Sequence, residues 1–63
     1  MPEWIAKVVG LMHRYKIKQS ELAEKIGIRR DYLNKILNGN KIPKDAEERI
    51  MAALDELISQ RAA

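Results

Sequence analysis

Between residues 19 and 39 the chain reads QSELAEKIGIRRDYLNKILNG, and no other stretch restricts its fold as strongly. Leu22, Ala23 and Ile26 recur at helical intervals, and Leu33, Ile36 and Leu37 do so again after a break. Gly27 marks that break, four residues after Ala23. A backbone with positive φ, or a very close helix crossing, wants a residue without Cβ there. Ile28 turns inward behind it. Two apolar-striped helices joined by so short a turn must cross steeply, and the small side chain at position 23 lets them approach. The pattern predicts helices over about residues 19–26 and 29–38.

The flanks are helical too. Pro2 suits a helix start and Glu3 suits its positive end. Ile5, Val8, Val9, Met12 and Tyr15 fall at intervals of three to four residues, with Leu11 widening the stripe, which predicts a helix over about 3–15. Ile17 sits in the connection and points inward. Lys18 or Ser20 lies near the next N-cap. Asn38-Gly39-Asn40 is a stop signal, because Gly and Asn tolerate the left-handed conformation at a helix end. Asp45 and Glu48 have the spacing of a capping box. A last helix of roughly fifteen residues then carries Ala46, Ile50, Ala53, Leu54, Leu57 and Ile58, with Met51 at its margin.

Sixty-three residues without a cysteine have neither disulfide nor thiolate metal site to lean on, and His13 alone holds no metal. Apolar burial must supply the stability. Hydrophobic residues make up 46% of the chain, Phe is absent, and Trp4, Tyr15 and Tyr32 are the only aromatics, so aliphatic side chains fill the core. The fold class is all-α. No catalytic constellation is present: Ser20 and Ser59 lack an activating context, and Glu47-Glu48 is explained by a helix start. No cofactor, metal or small-molecule ligand is expected. No apolar stretch approaches the ~20 residues that span a bilayer. MPEWIAKVVG does not read as a signal peptide, so a cytoplasmic protein is expected.

The net charge of +3 is unevenly spread. Residues 29–44 set Arg29, Arg30, Lys35, Lys41 and Lys44 against Asp31 alone, a net +4, whereas residues 45–63 carry a net −3. A polyanion meets the second helix of the central pair and its following loop first.

With these residues in view, residues 8–44 resemble the DNA-binding domain of the lambda-repressor-like family, the Cro and repressor (XRE-like) type of helix-turn-helix. The resemblance rests on Gln19 opening a helix, Ala23 at the fifth position of the motif, Gly27 at the ninth, Leu33 and Ile36 at the fifteenth and eighteenth, and the ending Asn38-Gly39. It implies a compact four-helix domain, or a five-helix one if the C-terminal stretch breaks at a glycine as relatives usually do; this chain has no such glycine. It also implies double-stranded DNA as partner, with the second helix of the motif in the major groove. Arg30, Asp31 and Asn34 match the family's base-contacting positions, and Arg29 and Lys35 share that outward face. Asp31 either accepts from cytosine or orients Arg30 or Lys35. Gln19, Asn38 and Lys41 match phosphate-contacting positions, with Ser20 and Lys44 beside them. Many relatives pair an Arg with a Glu where this chain has Met12 and Leu37, so an apolar contact is expected instead. Relatives usually place Ser or Thr as N-cap where this chain has Arg29.

One such module spans few base pairs, so a regulator of this size gains from dimerising onto a palindromic operator. Trp4, Ile5, Leu57 and Ile58 either close the monomer on itself or form a homodimer surface. The reading is a small DNA-binding regulator of phage or bacterial type. The alternative is a protein-interaction module of the same fold, such as an antitoxin-type partner using the last helix.

Overall fold

The computed structural model describes residues 2–62, which contain α1 (Glu3–Arg14), α2 (Gln19–Ile26), α3 (Arg30–Leu37) and α4 (Ala46–Ala62), and no strand among the described residues. α2 packs on both α3 and α4, and α4 also covers α1. One apolar cluster joins them. Ile5, Val8 and Met12 enter from α1, Ile17 from the connection, Leu22 and Ala23 from α2, and Leu33, Ile36 and Leu37 from α3. Ala46, Ile50, Ala53, Leu54 and Leu57 enter from α4. No aromatic side chain is fully inside; Trp4, Tyr15 and Tyr32 flank the cluster. No polar or charged residue is buried among the described residues, so no desolvated polar group offsets the gain from apolar burial. Met12 and Leu37 are both buried members of this cluster.

Val9 departs from the expected stripe and is 46% exposed. Successive helical residues lie 100° apart, so α1 cannot turn both Val8 and Val9 fully onto α4, and the Ile5–Val8–Met12 row takes the interior. Ile5 and Leu57 are also corrected. Both are buried within the chain's own core, at 0% and 5% exposure, and are unavailable to a partner; Trp4 and Ile58 lie half-buried on its edge.

The first three helices end in the same way. Ile17 N–H donates to the Met12 carbonyl at 2.8 Å, Ile28 N–H to Ala23 at 3.0 Å and Asn40 N–H to Lys35 at 3.1 Å. Each closure spans a left-handed residue: Lys16 (φ 56°), Gly27 (φ 92°) and Gly39 (φ 78°). This is the Schellman ending, whose last donor is often apolar and folds back on its own helix. It explains why Ile17 and Ile28 turn inward. A Cβ at Gly27 would meet nothing within 4 Å, so the glycine serves the positive φ and not a close crossing. Lys16 has no such freedom and its left-handed backbone is strained by about 1–2 kcal/mol. Lys16→Gly is expected to raise stability by about 0.5–1 kcal/mol after the added flexibility of the unfolded chain is subtracted. An unchanged urea midpoint would show that this turn is not strained.

Helix bounds move by one residue where caps decide them. α1 stops at Arg14 because Tyr15 already leads into the left-handed turn. α3 starts at Arg30 because Arg29 is extended (φ −78°, ψ 148°), and it gives way to Asn38 as cap. The expected capping box at α4 does not form among the described residues: Ala46 N–H reaches the Pro43 carbonyl at 3.1 Å, and the Asp45 carboxylate lies 3.8 Å from Arg49. α4 runs 17 residues without a break, so the described residues contain four helices and no fifth. None of them is long and apolar enough to cross a membrane.

Candidate nucleic-acid interface

Because Leu33, Ile36 and Leu37 point into the core, α3 turns its polar side outward. Arg29, Arg30, Asp31, Asn34, Lys35 and Asn38 are all exposed. Arg30, Asn34 and Asn38 recur every fourth residue and make one row, with Asp31 and Lys35 beside it. The start of α2 reaches the same row. Asn34 Nδ2 donates to Gln19 Oε1 at 3.2 Å, and Asn38 Nδ2 donates to Asn34 Oδ1 at 3.0 Å. Gln19, Arg30, Asp31 and Asn34 line a shallow depression between the two helices. An amide side chain has two N–H donors and two acceptor lone pairs. The chain from Gln19 to Asn38 uses one of each on Asn34, which leaves one donor and one acceptor facing out. Adenine offers the complementary acceptor and donor in the major groove.

Arg30 and Lys35 form no hydrogen bond or ion pair among the described residues. Asp31 orients neither of them. Its carboxylate lies 3.6 Å from Arg29 Nε, with the two side chains 75% and 88% exposed. The reason is Arg29's place outside the helix, where an extended backbone lets its side chain lie back along the first turn. So exposed a pair contributes little and breaks readily.

The helix starts share an unusual feature. Lys18 caps α2 and Arg29 caps α3, and neither cap makes a side-chain hydrogen bond. The first-turn N–H groups of both helices thus lack a side-chain partner from their caps, and each helix has a cation next to its positive end. This arrangement is unfavourable for the isolated chain and favourable once an anion sits at the helix start. Ser20 is exposed in the first turn of α2, and Lys41 and Lys44 are exposed on the loop between α3 and α4. Tyr32 lies on the core flank, where it lines a cleft with Ile26, Ile28 and Pro43. His13 is exposed on α1.

Sequence reasoning missed the polar ties along the α2–α4 seam. Arg49 Nη2 donates to the Ile26 carbonyl at 3.5 Å, Lys25 pairs with Glu56 at 3.0 Å, and Arg61 Nη2 donates to both Glu21 carboxylate oxygens at 2.6 and 2.7 Å. The Arg61 hydrogen bond holds the Glu21 carboxyl below the ordinary glutamate pKa, against a smaller opposing effect of burial. The partners stand 40 residues apart, and no local pattern joins them.

An outward-facing basic helix set across a left-handed glycine turn defines a helix-turn-helix protein. The helix-turn-helix family model matches residues 12–55, well over half of the chain, and the chain belongs to that family, in its Cro and repressor type. The match begins within α1 and ends within α4. Membership brings double-stranded DNA binding of the regulatory kind, in a family not known for enzymes. No curated protein and no solved structure matches the chain.

Proposed function

We propose that residues 1–63 act as one DNA-binding domain that recognises a specific operator as a small transcriptional regulator, Cro-like or repressor-like, with α3 in the major groove. The observation that carries this reading is Asn34, held by Gln19 and Asn38 with one donor and one acceptor turned outward. Arg29, Arg30, Asp31, Asn34 and Lys35 form the base-reading set, and Arg30 supports a bidentate contact to guanine. Gln19, Ser20, Asn38, Lys41 and Lys44 take the phosphates and fix the register. The chain acts as a homodimer on a palindrome with half-sites about 34 Å apart. The half-buried edge at Trp4 and Ile58 supplies the apolar part of that contact. Regulation is steric, through occupancy of a promoter in the cytoplasm of a bacterium or of a cell carrying a phage or prophage.

Lys41→Ala is expected to weaken binding to all duplex sequences about equally and to reduce the salt dependence by about one phosphate contact. A selective loss at one operator, measured by fluorescence anisotropy, would remove Lys41 from the phosphate set. The reading as a whole is tested by selecting sites from a random duplex library at two salt concentrations. An enriched palindrome whose binding weakens steeply with salt supports it. A folded chain that enriches nothing contradicts it and favours a protein-interaction module working through α4.

A further inference from the structure

The seam between α2 and the far end of α4 bears on how the chain meets the DNA backbone. Glu21 is the third residue of α2, and Gln19 and Ser20 precede it. Two residues advance a helix by about 3 Å, so a phosphate seated at the start of α2 lies within about 10 Å of the Glu21 carboxylate. That is no more than the screening length at about 0.1 M salt, and an uncompensated carboxylate there repels the ligand. Arg61 reaches across from the last turn of α4 and donates to both oxygens of that carboxylate at 2.6 and 2.7 Å. Their side chains are 32% and 36% exposed, less than half the exposure of the loose Arg29–Asp31 pair at 88% and 75%.

We infer that Arg61 is a positioning residue for DNA binding: it neutralises and holds aside the Glu21 carboxylate so that the start of α2 can accept a phosphate. Arg61 itself touches no DNA. The C-terminal end of α4 thereby becomes part of the interface's electrostatics, although it lies outside the helix-turn-helix pair. The lowered pKa of Glu21 agrees with this, since the carboxylate is ionised and paired. The inference rests on the DNA-binding reading above.

Because phosphate contacts are independent of sequence, the test needs no operator. Binding of a labelled mixed-sequence duplex of about 30 base pairs is measured by anisotropy at about 50 mM salt. Circular dichroism confirms that each variant is folded. Arg61→Ala is expected to weaken binding about three- to tenfold, with the loss shrinking as salt is raised. Glu21→Gln combined with Arg61→Ala is expected to restore the unaltered affinity, because no carboxylate remains to mask. Arg61→Lys, which keeps the charge, retains most of the binding. Glu21→Gln alone binds at least as tightly as the unaltered chain. Arg61 acting only through stability predicts that the double variant stays as weak as Arg61→Ala, and that result overturns the inference. An unweakened Arg61→Ala also overturns it, as does a weakened Glu21→Gln, which decides the matter if Arg61→Ala does not fold. No duplex binding by the unaltered chain overturns the DNA-binding reading itself, so the two failures are distinguishable.

Discussion

Leu22→Ala lowers the thermal midpoint by on the order of 10–30 °C. Leu22 is fully buried on α2, the helix that packs on both α3 and α4. Truncation removes the transfer free energy of the lost carbons and leaves a cavity between elements that relax only in part. Together these cost about 2–5 kcal/mol. A chain of this length has a total stability of about 3–9 kcal/mol, so one side chain accounts for a large share of the whole. No disulfide restrains the unfolded chain, since there is no cysteine. Val9→Ala is the matched control, because Val9 is exposed on α1 and its truncation opens no cavity. Melts followed by circular dichroism should separate the two variants clearly. Equal midpoints would mean that the α2–α3–α4 contact does not hold the chain together.

Arg30→Ala should leave the melt almost unchanged while it relaxes base preference at one operator position and weakens binding by roughly 1–3 kcal/mol. The side chain is exposed and unpartnered among the described residues, so its removal disturbs no packing. Its worth is realised only against a base edge, where a guanidinium makes two parallel hydrogen bonds to guanine. Arg30→Lys keeps the charge and loses the fork, so it should preserve phosphate-driven affinity and still lose discrimination. Site selection with each variant reads this directly. An unchanged preference would take Arg30 out of the readout. Arg29→Ala is expected to have the smaller effect on preference, because Arg29 stands at the cap beside Asp31 and outside the helix.

The open helix starts explain why stability and binding pull in different directions here. A Ser, Thr or Asp at position 29 would cap α3 and stabilise it by about 1 kcal/mol. It would also occupy first-turn N–H groups, and an Asp would add negative charge at the helix proposed to enter the major groove. The cations at Lys18 and Arg29 make the opposite choice: the free chain forgoes that stabilisation, and the open N–H groups at the start of α2 stay available for the phosphate proposed there.

Much of the helix layout was legible in the order of residues. Apolar positions three and four apart located four helices, the Gly27 and Gly39 turns were placed by residues that tolerate positive φ, and the family signature stood at Gln19, Ala23, Gly27, Leu33, Ile36 and Asn38-Gly39, with departures at Arg29 and Leu37. These are local properties, set by the spacing of side chains on one helix and by the φ each residue can adopt. The tertiary structure decided what local spacing leaves open. Val8 and Val9 are equally apolar, and the packing of α4 determines which one is buried. Ile5 and Leu57 were equally suited to an interior or a partner, and the α1–α4 contact puts them inside. The Gln19–Asn34–Asn38 chain requires the crossing of α2 over α3, and the Glu21–Arg61 clasp requires α4 to run back along α2. Partners that stand 15 and 40 residues apart meet only after the core sets the helix positions, and for that reason the polar geometry of the interface belongs to the fold and not to any segment of the sequence.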